Sequence, residues 1–310
     1  MKMARSAILP ASPSDPTGVD RVEKGAIRDF SRRYRKIRDG YLAALDRVPN
    51  EPVVNRRYVF NLDSTLLNTM FSGLDSMVDS ILLEGGEDKL WFFESYVSVA
   101  YQRGTAQQFA NLSQQSPVYH AGQQSLRDIL MSEPYRRRIA LVRAREFEEM
   151  KGLSGTTKNT LNRVLAEGIA RGKNPREIAK DISSSVTSLD DVRARRIART
   201  EVTTALRRAR LDEADEATER YGLKTKEMHI SALSPTTRLT HAKRHATLHT
   251  TEEQRDWWAE DANSINCKCS TVTVLVDDDG KPLVPAIVER ALRNKQVMKA
   301  KAKGPWANEE

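Results

Sequence analysis

Apolar residues in the first half of the chain recur every three or four positions, which is the spacing of amphipathic helices. One such stretch runs from Val19 to Val48, and a more buried one runs from Tyr58 to Leu83. A third covers Leu90 to about Leu112, with Gly104 as a candidate interruption, and a fourth covers Leu126 to Met150. The pattern predicts an all-helical N-terminal half.

The second half begins with helical spacing and then changes character after Gly222. Lys226 to Leu233 alternates loosely, and Ser270 to Val276 sets valines against threonines before the turn sequence at 277–280, so both segments are expected to be strands. A basic helix is expected from Pro285 onward. The predicted fold class is mainly α with a smaller α+β C-terminal domain, in which a helical N-terminal bundle is followed by helices packed on a short β-sheet.

Breaks in the pattern suggest four consecutive parts. Three prolines in residues 1–18 indicate an extended arm. A helical domain is expected over 19–150, with Gly152 and Gly155 marking its boundary. A second domain follows over 151–284, and a basic helix or tail over 285–310.

Composition narrows the class of protein. A chain of 310 residues can bury a substantial core. No apolar run approaches the roughly 18 residues of a membrane span, and the start of the chain lacks a signal-peptide apolar segment. The two cysteines stand one residue apart and cannot staple a fold, so we expect a reducing compartment and no membrane partner.

The formal net charge is +8, which favours anionic partners such as nucleic acid. The positive charge is clustered, although arginine-rich helix faces are often simply solvated. The candidate DNA- or partner-binding residues fall into three clusters. The first is Arg32, Arg33, Arg35 and Lys36, the second is Arg136, Arg137, Arg138, Arg143 and Arg145, and the third, in the tail, is Lys299, Lys301 and Lys303.

The scarce cysteines and histidines form the main candidate for chemistry. Cys267 and Cys269 could bind zinc together with two of His241, His245 and His249, because thiolate and imidazole are the ligands of tetrahedral zinc sites. The favoured set is His241, His245, Cys267 and Cys269, as a structural site; C-x-C is tighter than the usual spacing. In the alternative, the cysteines pack as small apolar groups and the histidines lie on a solvated helix face.

Several short strings in the second half resemble the phage head morphogenesis family of phage Mu F type minor head proteins. They are Asn174-Pro175-Arg176-Glu177-Ile178-Ala179, the Arg199-Thr200-Glu201 string, Arg238 and His241 in an R-x-x-H arrangement, and Asn266-Cys267-Lys268-Cys269 in place of N-C-R-C. The resemblance covers about residues 150–276 and depends on the order and spacing of these strings.

The chain departs from the family at three places. Ser234 and Thr236 stand where the family often shows an acidic residue and an extra arginine, and Met228 or His229 stands where an aromatic residue is common. The resemblance is concentrated around Arg199 and Glu201, and we therefore expect a structural ion-pair network of these two residues with Arg238 and His241. The alternatives are an ordinary charged helix face and, least favoured, Glu201 acting as a general base with His241.

The resemblance implies a structural protein and not an enzyme. Such a protein would be a low-copy virion component bound to the portal protein inside the capsid, at the portal vertex, after assembly in the host cytoplasm. Scaffolding or major capsid protein and packaged double-stranded DNA are the further partners, and help in head assembly or DNA delivery is the expected role. The alternatives are a zinc-dependent nuclease and another DNA-binding protein; the chain shows no Gly-rich phosphate loop, G-x-S-x-G or H-E-x-x-H string.

Overall fold

A computed structural model describes residues 5–53, 57–122 and 125–308 of the chain. These residues are mostly helical, and the described strands form two small antiparallel sheets of two and three strands. The predicted fold class, mainly α with a smaller α+β part near the C-terminus, is confirmed. Among the described residues, no helix combines the length and apolar character that crossing a bilayer requires.

The helices predicted over 19–48 and 58–83 are present, with one correction at the start of the second. Helix α2 begins at Ser64 and not at Tyr58, because the Asp63 side chain accepts a 2.8 Å hydrogen bond from the Leu66 N–H and so caps the helix there. The residues before it form a strand that pairs with the chain after α1. The elements of this half are α1 (Asp20–Asp46), β1 (Asn50–Pro52), β2 (Tyr58–Phe60), α2 (Ser64–Leu82), a π-helical turn (Phe93–Val97), α3 (Ser98–Gln115), α4 (Pro117–Gly122) and α5 (Leu126–Met131).

Helix α6 runs without a break from Glu133 to Ala170. The break in helical structure expected at Gly152 and Gly155 is therefore absent. Each glycine costs about 1 kcal/mol of helix propensity, but buried Leu153 and Leu161 lie on either side of Gly155 and pack into the core. Tertiary packing outweighs the local preference here.

The remaining elements include the two strands that the alternation predicts. Asn174 caps the N-terminus of α7 through its side chain, as its position before Pro175 suggests. The elements are α7 (Pro175–Ser188), a π-helical turn (Leu189–Ala194), α8 (Arg195–Tyr221), β3 (Thr225–Ile230), α9 (Leu239–Arg244), β4 (Leu248–His249), α10 (Thr251–Ala259), β5 (Ser270–Leu275), α11 (Ala286–Ala302) and a 3-10 turn (Pro305–Asn308).

The chain divides into two compact units, each built from separate segments. One contains the segment ending at Glu23, Tyr96–Ala140 and the segment from Arg199 onward; the other contains Lys24–Ser95 and Leu141–Ala198. This division differs from the consecutive domains that the sequence suggests, since residues far apart in the chain pack together in each unit.

The N-terminal arm belongs to the first of these units. Its first four residues lie outside the described part of the chain, and residues 5–18 contain no helix or strand. Hydrogen bonds from the backbone of the arm nevertheless hold it in place. The Ile8 N–H donates to Asn111 Oδ1 at 2.9 Å, and the Pro13 carbonyl accepts from the Leu233 N–H at 2.9 Å.

The second unit has a core of aromatic and aliphatic side chains. The Phe30 ring packs edge-on against Trp91 and Phe92, with ring centroids 5.0 and 5.1 Å away. Further along α1, the Tyr34 hydroxyl lies 3.0 Å from Thr157 Oγ1, which joins α1 to α6. These contacts explain the buried stripe that the sequence of α1 predicts.

The three-stranded sheet of the first unit has the order β4-β3-β5, and both pairings are antiparallel. Because side chains alternate along a strand, Met228, Ile230 and Val272 pack on one face against Ile287 of α11. The opposite face carries Glu227, His229, Thr271 and Thr273, and all four are fully buried. The sheet therefore has a polar face that is shielded from solvent.

Candidate functional site

The family-like strings meet around the loop formed by residues 261–266, just before β5. The Asn266 N–H donates to Thr200 Oγ1 at 3.1 Å. Arg238 donates to the backbone oxygens of Ala262, at 3.0 Å, and of Ile265. Sequence strings that are widely separated along the chain therefore hold one loop.

The backbone conformation at the first position of the Asn266-Cys267-Lys268-Cys269 string favours asparagine. Asn266 has a φ of 53°, in the left-handed region that asparagine tolerates better than most residues. This turn delivers Cys267 and Cys269 to the start of β5, where both are buried. The local backbone thus fixes the position of the two thiols.

The predicted ion-pair network has a different arrangement. Arg199 Nε donates to Glu23 Oε1 at 2.8 Å, so its carboxylate partner comes from α1. Lys268 joins the same cluster, with Nζ 2.7 Å from Asp20 Oδ1 and 3.4 Å from Glu23 Oε2. Because Arg238 bonds to backbone oxygens, it serves to hold the loop.

The remaining two members of that predicted network lie in the interior. Glu201 is buried on α8. His241 is buried on α9, where its ring nitrogen contacts the cysteines. The expected grouping of four residues therefore becomes a salt-bridge cluster around Glu23 and a separate His/Cys cluster.

The His/Cys cluster consists of His241, Cys267 and Cys269. His241 Nδ1 lies 3.4 Å from Cys269 Sγ and 3.5 Å from Cys267 Sγ, and all three ligand atoms lie within 4.8 Å of one another. The Cys269 N–H also approaches Cys267 Sγ at 3.4 Å. This is the donor chemistry of a site for a borderline-soft metal ion.

The pKa values of the two thiols shift in opposite directions, because the thiols share a hydrogen bond. The Cys269 thiol, followed by His241, hydrogen-bonds Cys267 and holds its pKa well below the usual value, against the opposing effect of burial. The pKa of Cys269 is raised well above the usual value, because it shares a hydrogen bond with Cys267 and is buried.

His245 is not part of the cluster, which corrects the expected ligand set. Helix α9 ends at Arg244, so His245 does not continue the helix face that carries His241. Its Nδ1 accepts from the Ser231 N–H at 3.1 Å, and its Nε2 lies 3.0 Å from the Ala291 carbonyl, to which it donates. Both ring nitrogens are thus used in joining the residue after β3 to α11.

His249, the other histidine weighed as a ligand, also lies elsewhere. Its Nε2 is 2.7 Å from Thr247 Oγ1, and its Nδ1 is 3.8 Å from the Glu253 carboxylate. Burial, followed by the charge of Arg244, lowers its pKa.

His229 is a buried histidine of β3 that sequence reasoning did not select. Its Nδ1 lies 3.3 Å from Gln254 Oε1, while its Nε2 is buried without a hydrogen-bond partner among the described residues. The Trp257 ring lies 4.8 Å from the His229 ring and 4.7 Å from the His241 ring. Burial lowers the pKa of His229 to about 3, so the ring is neutral at physiological pH. In the sequence, the alternation of His229 with Glu227 along β3 could have indicated that both side chains lie on one face of the sheet.

Two arginines and a glutamate lie in the same interior. Arg207 stacks over the Trp258 ring, 4.5 Å from its centroid, and donates to the Thr204 hydroxyl at 2.9 Å. Arg210 donates to Gln107 Oε1 at 3.0 Å, and burial lowers its pKa to about 10. Burial raises the pKa of Glu227, which accepts a hydrogen bond from Thr273. These groups are buried polar side chains that lie beside the polar face of the sheet.

Two of the candidate DNA-binding arginines are engaged inside the protein. Arg33 donates to the Ile81 carbonyl at 2.5 Å, pairs with Glu84 at 2.6 Å and lies over Trp91. Arg138 bridges Glu213 and Glu216, with only 19% of its side chain exposed. Their role is structural, which corrects the expectation that they face DNA.

The other members of those two clusters are more open. Arg143 pairs with Glu94 at 3.1 Å and lies over the Phe93 ring. The side chain of Arg32 pairs with Asp29, and that of Arg137 pairs with Glu133, but both remain largely exposed. The exposed residues of these clusters are Arg32, Arg35, Lys36, Arg136, Arg137 and Arg145.

The C-terminal basic residues belong to α11 and the turn that follows it. Lys301 and Lys303 are exposed, whereas Lys299 is partly buried. Lys303 has a left-handed backbone and ends the helix. Trp306 anchors the turn after α11, since its indole N–H donates to the Ser234 carbonyl at 2.7 Å.

Comparison with known families confirms the resemblance. Residues 159–272 match the family model of phage Mu protein F like protein, and this range includes all four strings that suggested it. No curated protein and no solved structure gave a match. The match covers 114 of the 310 residues, so this region is similar to that family, which suggests phage head morphogenesis.

Proposed function

We propose that the chain is a minor head protein that binds the portal inside the phage head, contacts packaged DNA there and assists head assembly or DNA delivery. The observation that carries this proposal is the family match over residues 159–272, together with the packing of its motif residues around a single loop. Motif residues that stabilise the loop of residues 261–266 are consistent with a structural component of the virion.

The charge of the chain supports the contact with DNA. The formal net charge is +8, and several basic side chains of the first two clusters and of the tail are exposed. Lysine and arginine contacts to phosphates give sequence-independent binding that weakens as salt rises. Dense packaged DNA would supply such phosphates, and portal or scaffolding proteins are the protein partners we propose.

The alternative of a zinc-dependent nuclease is less well supported. A catalytic zinc must keep an open position that the substrate can reach. His241, Cys267 and Cys269 are each less than 5% exposed, and the neighbouring polar side chains are packed rather than solvated. We therefore propose a role without catalysis. The alternative of a sequence-specific regulator has no recognition motif in the sequence to support it.

The proposal is tested on purified virions of the phage that encodes the chain. Quantitative mass spectrometry should find the protein in DNA-filled heads, in an amount close to that of the portal protein and far below that of the major capsid protein. Heads prepared from a phage with a nonsense mutation in this gene serve as the control. Absence of the chain from normal virions would refute a virion function.

A further inference from the structure

We propose that His241, Cys267 and Cys269, with His229 as the fourth ligand, form a structural zinc site that fastens the loop before β5 to α9 and β3. The site is a property of the fold and does not depend on portal or DNA binding. It also differs from the set that sequence spacing favours, because His229 replaces His245.

The spacing of the three clustered atoms fits one tetrahedral ion. Zinc–sulfur bonds of about 2.3 Å and zinc–nitrogen bonds of about 2.0–2.1 Å, at tetrahedral angles, place sulfur and nitrogen roughly 3.5 Å apart. The two observed nitrogen–sulfur distances, from His241 Nδ1 to Cys269 Sγ and to Cys267 Sγ, are 3.4 and 3.5 Å. These three atoms could therefore bind an ion with little movement, whereas His229, which lies outside the 4.8 Å group, would have to move closer to complete the site.

The backbone around the cysteines also suits a thiolate ligand. The Cys269 N–H points toward Cys267 Sγ at 3.4 Å, and such bonds stabilise a metal-bound sulfur. The left-handed Asn266 makes the turn that brings both sulfurs to the same histidine. These features explain how the tight C-x-C spacing can supply two ligands.

His229 is the best placed of the other described histidines to complete the site. Its ring centroid lies 6.5 Å from that of His241, and its Nε2 is buried with no hydrogen-bond partner in the described part of the chain. If Nδ1–H donates to Gln254 Oε1, Nε2 carries a lone pair that is available to a metal. A ligating histidine usually has its second nitrogen fixed in this way. Metal binding would then account for the buried His229 Nε2, which has no hydrogen-bond partner among the described residues.

The surroundings favour a structural zinc ion over a reactive one. His229 and the three clustered residues are all nearly inaccessible to solvent. Trp257 lies against both histidine rings and limits their movement. A closed site with two sulfur and two nitrogen ligands matches the composition of structural zinc centres.

The first test is metal analysis of the full chain. The protein is expressed with zinc, freed of excess metal by gel filtration and analysed by inductively coupled plasma mass spectrometry. We expect one zinc per chain, and X-ray absorption of this wild-type sample should show two sulfur and two nitrogen neighbours. A chain that retains no zinc would overturn the proposal, and a spectrum with oxygen ligands in place of sulfur would do the same.

Variants then separate the ligands from the other histidines. Cys267→Ser and His241→Asn should lose zinc. His229→Asn should lower the zinc affinity, measured by competition with a chelator, by more than about 100-fold. Loss of a residue that only supports a ligand lowers metal affinity by ~10–100-fold. His245→Asn is the matched control, because it is also buried but should keep full occupancy. If His229→Asn binds zinc as the wild type does, or if His245→Asn loses it, the assignment of the fourth ligand is wrong. If a variant fails to fold, the wild-type X-ray absorption still tests the set of two sulfur and two nitrogen ligands, and the zinc content of His245→Asn tests whether His245 is one of them.

Discussion

Arg199 Nε and Glu23 Oε1 form a 2.8 Å salt bridge between residues that stand 176 positions apart. The Glu23 side chain is only 3% exposed, and Lys268 lies 3.4 Å from its other oxygen. Arg199 belongs to the Arg-Thr-Glu string, and Lys268 belongs to the string with the two cysteines. The buried carboxylate of α1 thus connects two family-like strings.

Glu23→Gln should lower the free energy of unfolding by roughly 1–3 kcal/mol, because it leaves two cations beside a buried group that no longer carries charge. Urea denaturation monitored by circular dichroism gives the value. Asp39→Asn, which removes an exposed partner of Arg38, is the control and should change stability by no more than about 1 kcal/mol. Equal effects of the two substitutions would contradict a structural role for Glu23.

Stability should fall as pH rises through the titration of Glu213. Burial raises the pKa of Glu213 from 4.5 to about 7, although the Arg138 guanidinium opposes the shift. The native state therefore holds a proton that the unfolded chain has released, so this contribution is fully present below pH 4.5 and is lost as pH rises through about 7. Melting curves measured across this range should show the decline.

Glu213→Gln should remove most of that decline, which amounts to about 1–3 kcal/mol. Glu216→Gln is the control, since it removes the other carboxylate that Arg138 contacts and leaves Glu213 in place. Because the charge of Glu216 helps to raise the pKa of Glu213, this variant should reduce the decline less than Glu213→Gln does. A slope that survives in Glu213→Gln, or disappears equally in the control, would assign the pH dependence to another group.

Gly104 should not tolerate a side chain, although it lies in the middle of α3. A Cβ added there would overlap the Leu206 carbonyl oxygen and would lie 2.9 Å from Ala209 Cβ on α8. Gly104→Ala should therefore destabilise the protein by about 1–3 kcal/mol through overpacking, despite a better helix propensity. Gly152→Ala, where a Cβ meets nothing within 4 Å, should stabilise by about 0.5–1 kcal/mol. Thermal melting of both variants decides this prediction, and a stabilised Gly104→Ala would disprove close packing of α3 on α8.

Binding to double-stranded DNA should depend on the exposed cluster of α1. Changing Arg32, Arg35 and Lys36 together to Gln should reduce the slope of log affinity against log salt by up to roughly 0.9 for each DNA phosphate that these side chains neutralise. The control changes Arg163, Arg176 and Lys180 to Gln, which removes the same charge from positions outside the cluster. Fluorescence anisotropy with two unrelated duplexes measures both effects, and equal reductions would mean that only net charge matters.

The helical pattern and the two main strands could be predicted from the sequence, because periodicity depends on which residues are buried. The stripe from Phe30 to Leu45 and the alternation around Val272 are both visible in the chain and present in the structure. Local signals failed where distant packing decides. Gly152 looks like a boundary, yet the buried residues beside it keep α6 continuous.

The candidate site was predicted only in part for a similar reason. Cys267 and Cys269 stand in one family-like string and His241 in another, so their proximity could be expected, but the position of His245 depends on where α9 ends. His229 required knowledge that the polar face of the sheet is buried. In the same way, Arg138 could not be recognised as structural, because its partner Glu213 lies 75 positions away.

Co-assembly with the portal protein tests the central proposal most directly. The chain is expressed together with the portal protein of the same genome and separated by size-exclusion chromatography at moderate salt, with nuclease treatment to exclude bridging by DNA. We predict that the chain elutes with the assembled portal ring. Elution of a folded chain by itself, beside an intact portal ring, would contradict the proposed position in the phage head.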